Sequence, residues 1–274
     1  MKTFFTSNYH SHTKRCGHAF GEDEEFLLAG KEAGFKLFGF SDHVILPDIS
    51  QPGMRGAPYL LDDYCASILN LKQKYKGDID VHLGFEAEWY GSRYESYYRD
   101  ELPKHGVEYL ILGQHCFLKG NRFTWYGDIK DRYEMVEAYC SDLIQGMESG
   151  LFLYVCHPDL IVSVNNGFDD RIKEVAYRIA VKSKELNLPL EVNMGPSTRD
   201  LSMDLDDTSI IHYPYPDFWD IVGEVGGPCV VGVDAHLPSI YQMADYDKFA
   251  KFIERHHLNM VQSSNLIEDK LKNK

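Results

Sequence analysis

His10 and His12, in "YHSHTKRCGHAF", are two apart, and alternate residues of a strand share a face, so both imidazoles can address the same ion. The spacing recurs near the other end of the chain, where "VVGVDAH" carries Asp234 and His236. His18, His43, Glu86, His115 and His157 complete a set of nitrogen and oxygen donors. Such a set suits zinc, iron or manganese and is wrong for calcium, which takes oxygen ligands. A catalytic zinc uses about three protein ligands plus water, so nine donors imply two or three ions, with a carboxylate such as Glu86 suited to bridge a pair. Ions a few Å apart clamp the attacking and leaving oxygens of a phosphoryl transfer and acidify bound water. The chemistry indicated is metal-assisted phosphoester hydrolysis, or amide hydrolysis on a related scaffold.

Scattered donors need a scaffold that gathers them. Apolar, β-rich runs occur at 6–13, 36–43, 80–89, 109–117, 151–160, 188–195 and 228–236, each ending in a polar cluster. Segments of helical period or composition lie between and after them, at 22–33, 60–76, 92–105, 131–149, 169–186, 214–225 and 240–255. Near-continuous apolar strands alternating with helices predict a parallel sheet covered by helices. Seven such units fit a single-domain α/β fold, a seven-stranded β/α barrel related to the TIM barrel. His10, His12, Asp42, His43, Glu86, His115, His157, Asn193, Asp234 and His236 all fall at carboxyl ends of these strands, the end at which such a barrel builds its active site. The loops 44–59 and 196–213 read as excursions near that mouth, and the polar tail 256–274 as a fraying end outside a barrel of about 6–255.

Composition narrows the function. The 274 residues carry a formal net charge of −14, which counts against a nucleic-acid partner, because such binding rests on clustered Lys and Arg. No apolar run approaches the roughly 20 residues of a membrane helix, and the start lacks a charged-then-apolar leader, which predicts a cytoplasmic protein with no membrane partner. The six cysteines include no CxxC pair, so neither a disulfide framework nor a thiolate zinc knuckle is expected. No GxSxG elbow is present, and Cys156 lies within an apolar run, which argues against covalent catalysis.

In order and at strand ends, "YHSHTKRCGHA", "GFSDH", "GFEAE", "ILGQH", "VCHPDL" and "VGVDAH" closely resemble the polymerase and histidinol phosphatase (PHP) family, in particular its stand-alone histidinol-phosphate phosphatase branch. The resemblance spans about residues 6–240. It implies a distorted seven-stranded barrel with three divalent ions (Zn, Mn or Fe). One ion would be held by His10, His12, Glu86 and Asp234, a second by Glu86, His115 and His157, and a third by His18, His43 and His236. It also implies a small-molecule phosphate substrate, L-histidinol phosphate, cleaved to L-histidinol and phosphate in histidine biosynthesis. Attack by a metal-bridging hydroxide is the expected route.

On this reading Asp42 would orient His43 or shuttle a proton, and Asp234 is the other proton-handling candidate. Arg15 and Arg199, with Lys14, are the cations placed to grip a phosphate. Phe117, Trp125 and Tyr126 could flank the substrate imidazole, and Asp159 could meet its ammonium. Glu88, in phase with Glu86, could act behind a ligand or on substrate. His82, His105, His212, His256 and His257 match no motif and read as surface or structural. The alternatives are a PHP phosphoesterase acting on nucleotides or other small phosphates, and a non-catalytic metal-binding module.

Overall fold

A computed structural model describes residues 5–120, 122–195 and 214–272. In chain order the main elements are β1 (Ser7–Asn8), α1 (Asp23–Glu32), β2 (Leu37–Phe40), α2 (Leu61–Lys74), β3 (Asp80–Ala87), β4 (Tyr109–Leu112), the hairpin β5 (Cys116–Lys119) and β6 (Arg122–Trp125), α3 (Arg132–Glu148), α4 (Leu160–Asn165) and α5 (Asp170–Leu186). There follow β7 (Leu190–Asn193), α6 (Pro216–Val225), β8 (Pro228–Gly232), α7 (Ile240–Met243), α8 (Tyr246–Arg255), β9 (Asn259–Met260) and α9 (Leu266–Lys272). Strands β1 to β4 pair in parallel, as do β7, β8 and β9. Every residue of β2, β4, β7 and β8 is buried, because helices cover the outside of the sheet and side chains fill its inside.

The fifth strand position is much shorter than the expected 151–160. Residues 153–156 bond to β4 on one side (Cys156 N–H to Leu112 O, 2.9 Å) and toward β7 on the other (Glu191 N–H to Val155 O, 2.8 Å), with Val155 bridging Leu112 and Leu190. His157 then turns into the left-handed region at φ 34°, and Pro158 ends the extended run. At the mouth the first and last barrel strands meet through a parallel bridge between Ser11 and Ala235, with His12 N–H donating to Ala235 O at 2.9 Å. The parallel strands thus curl into a distorted α/β barrel.

Two further expectations change. The described part of the tail, 256–272, does not fray: β9 pairs with β8, Tyr9 Oη donates to Ser263 O at 2.9 Å, and Val261, Leu266 and Ile267 pack on the interior cluster around Tyr9, Tyr109, Ile111 and Tyr154. Its polar composition hides a few well-placed apolar residues whose burial holds it. The expected helix at 92–105 is a π-helical turn (Tyr97–Glu101) followed by a 3-10 turn (Leu102–His105), since Pro103 cannot supply an amide donor. Among the described residues no helix is long and apolar enough to cross a membrane. The loop 196–213, and with it Arg199 and His212, lies outside the described residues.

Candidate metal centre

The nine donors, drawn from all round the barrel, converge at its mouth. Glu86, at the end of β3, is their hub. Its Oε1 lies 2.6 Å from His157 Nε2, 3.4 Å from His115 Nε2 and 3.7 Å from His10 Nε2. Its Oε2 lies 3.1 Å from His43 Nδ1 and 3.5 Å from His12 Nε2. Asp234 Oδ1 sits 3.0 Å from His12 Nε2 and 3.5 Å from His10 Nε2. At the far edge His236 Nε2 is 2.9 Å from His18 Nε2, and the His236 ring stacks on His12 at 4.0 Å. Donor atoms close enough to share an ion include those of His10, His12 and Asp234, those of His10, Glu86, Cys156 and His157, and those of His12, His43 and His236. His157 and Asp234 both hold positive φ, 34° and 51°, an uncommon conformation for non-glycine residues that aims them into the cluster.

Two glycines make room for the carboxylates. A Cβ on Gly113 would stand 2.0 Å from Glu86 Oε1, and one on Gly232 would stand 1.7 Å from Glu191 Oε1. Glu191 was not singled out in the sequence, yet it is fully buried and its oxygens lie 2.9 and 3.1 Å from His10 Nδ1. It also accepts from Tyr154 Oη and from the His157 amide. The available signal was its phase: a charged residue within an apolar strand, two before Asn193, points inward with it. A carboxylate on the outer nitrogen of a ligating histidine fixes its tautomer and raises its basicity. Glu191→Gln is therefore expected to weaken metal affinity about 10- to 100-fold, measured by chelator competition. Unchanged affinity would remove Glu191 from the site.

Asp42 serves a different histidine from the one expected. Its Oδ1 accepts the His43 backbone amide at 2.8 Å and lies 3.6 Å from His12 Nδ1, while Oδ2 accepts from Thr13 Oγ1. It backs His12 rather than the His43 ring, because His43 turns its own Nδ1 toward Glu86. Glu88 stands behind His115, 3.2 Å from Nδ1, and is itself bonded by the buried Arg55.

Burial opposes charging His10, but Glu191, Asp234 and Glu86 outweigh it and raise its pKa to about 10. His12 moves upward as well, through Asp234 and Asp42. Burial would raise the pKa of Glu86, yet His115, His43 and His10 hold it well below the usual carboxylate range; Asp234 is held down likewise by His10, His12 and His236. His43 and His236 go the other way, His236 to about 3, because burial and neighbouring imidazoles disfavour a further positive charge. Two anionic carboxylates among histidines that are partly neutral and partly proton-bearing form a site at which a divalent cation can replace the protons.

Several proposed substrate contacts are otherwise engaged. Arg15 turns away from the donors: its guanidinium pairs with Asp23 at 2.8 Å and Asp63 at 2.8 Å, and Lys14 pairs with Glu22 on the surface. Asp159 is fully buried, accepting from the Tyr215 amide (2.7 Å) and Trp219 Nε1 (3.0 Å), so it tethers the start of α6 instead of meeting a substrate ammonium. Phe117 packs on the core against Tyr126, whose Oη donates to Asp142 at 2.6 Å. Tyr126, in the 3-10 turn that follows the hairpin, is buried, and Phe117 is half-buried against the core. Trp125 alone of these aromatics is exposed, with its ring nearly parallel to that of His115 at 6.2 Å. Away from the donors, His82 pairs with Asp80 and Glu108, His105 with Asp62, and His256 is buried against Asp220.

The donor set fits divalent metal. Glu86 Oε2, Asp234 Oδ1, His43 Nδ1 and His18 Nδ1 are buried without a hydrogen-bond partner, and unmatched polar atoms in such number in one place mark a site for a cation. A Deinococcus radiodurans protein named "Probable histidinol-phosphatase" is 28% identical over 240 residues, 84% of this chain and 85% of that protein. The histidinol phosphate phosphatase of Lactococcus lactis, crystallised with zinc, L-histidinol and phosphate, superposes with a TM-score of 0.65 at 17% identity, covering 93% of this chain and 95% of that one. A Listeria monocytogenes protein assigned as a histidinol phosphatase gives 0.63 at 19% identity, covering 85% and 96%. Residues 8–195 match the PHP domain, and the chain belongs to that family.

Proposed function

We propose that this protein is a metal-dependent phosphatase that hydrolyses L-histidinol phosphate to L-histidinol and phosphate. The observation that carries the reading is the buried Glu86 carboxylate, within 3.7 Å of a ring nitrogen of each of five histidines. Glu86 with His10, His12 and Asp234 would hold one ion; Glu86 with His115 and His157 a second; and His18, His43 and His236 a third. Such ions lower the pKa of water toward neutrality and offset phosphate charge, which matters in a chain of net charge −14 whose Arg15 is already paired. Asp234, whose Oδ1 lies within 3.5 Å of ring nitrogens of His12, His10 and His236 and has no hydrogen-bond partner, would accept a proton from the attacking water. Asp42 and Glu191 keep His12 and His10 oriented. Trp125 offers an apolar face beside His115 on which the planar imidazole of the leaving group can stack. The relatives named above support this substrate over other phosphates.

Steady-state kinetics on the purified protein with added zinc or manganese test it, comparing L-histidinol phosphate with nucleoside monophosphates and p-nitrophenyl phosphate. The expected kcat/KM is highest for histidinol phosphate by at least about tenfold, the effect of roughly 1.4 kcal/mol of leaving-group recognition. Faster hydrolysis of nucleotides would reassign the substrate.

A further inference from the structure

Arg55, in the loop between β2 and α2, has a fully buried side chain. Its Nη2 donates to Glu88 Oε1 at 3.0 Å and Oε2 at 3.1 Å, its Nη1 to Val44 O at 3.0 Å, and its Nε to Gln51 Oε1 at 3.0 Å. Glu88 Oε1 lies 3.2 Å from His115 Nδ1, and the other ring nitrogen of His115 faces Glu86. A buried guanidinium, a carboxylate and an imidazole thus line up behind one candidate ligand. The same guanidinium clasps the residue that follows His43.

Glu88 lies two residues beyond Glu86, and the two side chains point to the same side of the chain. Both are buried, and only the His115 ring separates them, so an unpaired Glu88 would be a second anionic oxygen donor next to the donor cluster. A buried charge needs a partner, and Arg55 supplies one in a fork geometry that a carboxylate matches.

We propose that Arg55 is a positioning residue for the metal centre: by engaging Glu88 it keeps that carboxylate out of metal coordination and commits it to His115 Nδ1–H, so that His115 presents Nε2 to the metal. The proposal rests on the metal reading above and goes beyond it by assigning which of two neighbouring carboxylates binds metal and what enforces the choice.

Cobalt-substituted protein tests it. In Arg55→Met, Glu88 is released toward the ions; the visible cobalt spectrum changes, and metal affinity at the His115 position falls about 10- to 100-fold, with kcat lowered and KM for histidinol phosphate nearly unchanged. In the double variant Arg55→Met/Glu88→Leu no carboxylate is available to intrude, so the spectral change is lost while the affinity stays weakened, because His115 still lacks its acceptor. A merely structural Arg55 would lower thermal stability and leave both the spectrum and the affinity as in wild type; that result in folded Arg55→Met overturns the proposal. Should Arg55→Met not fold, the double variant, which buries no unpaired charge, decides: wild-type metal affinity there overturns it. Wild-type protein that takes up no cobalt overturns the metal reading itself, and is thereby told apart from a failure of the Arg55 assignment.

Discussion

Glu86→Gln is expected to lower kcat/KM for histidinol phosphate by about 10³-fold or more and to leave the far-ultraviolet circular dichroism unchanged. The shape is kept, so the space provided by Gly113 still accommodates the side chain, which limits any packing penalty. What is lost is the one anionic group shared by the ring nitrogens of five histidines. An amide presents a single neutral acceptor and cannot bridge two ions as a carboxylate does. Losing several kcal/mol of Lewis-acid and nucleophile-generating power corresponds to about three powers of ten or more in rate. Metal analysis should show at least one ion fewer per chain than in the wild type. A Glu86→Gln enzyme within tenfold of wild-type activity would show that the hub is not catalytic.

Chelation is expected to have the second large effect: activity falls to background and returns on adding zinc or manganese. The pH dependence of that return is the sharper test. Without metal, His10 holds its proton up to about pH 10, because Glu191, Asp234 and Glu86 outweigh its burial. Metal must displace that proton, so binding releases it to solvent. Lowering the pH strengthens the competing proton, so apparent affinity falls on acidification and rises on the way to pH 10, by about tenfold per pH unit for each proton displaced. Raising the pH past about 10 removes the competition from His10, and its share of the slope vanishes. Chelator-buffered titrations between pH 6 and 9 measure this; a flat profile would show that His10 is neutral before metal arrives and that its carboxylate partners do not act as described.

The barrel was legible because its signals are local. Apolar runs closing in polar clusters place a strand by composition, and β2, β3, β4, β7 and β8 lie within the expected runs. Where tertiary competition decides, the reading drifts. The 151–160 run is as apolar as the others, but His157 leaves the strand in a left-handed turn to reach Glu86, and residues 153–156 alone remain paired. The tail looked polar on average, yet Val261, Leu266 and Ile267 pack against the barrel interior, which no window average reveals. Arg15 looked like a free cation near the mouth, but Asp23 and Asp63, in α1 and α2, claim it.

The donor inventory is a property of the sequence alone: nine residues of the right chemical types, each at the carboxyl end of a strand run or in the loop after it, follow from side-chain alternation and the geometry of a parallel barrel. The partners behind the donors came only from the tertiary structure. That Glu191 backs His10 and Glu88, held by Arg55, backs His115 depends on hydrogen-bond geometry between separate elements, 181 residues apart in the first case, and Asp42 stands near His12 at 3.6 Å only because the first two strands are neighbours. A donor needs only the right chemistry at a strand end, which one strand can encode. A supporting carboxylate needs a particular oxygen within about 3 Å of a particular ring nitrogen, and only closing the barrel brings those atoms together.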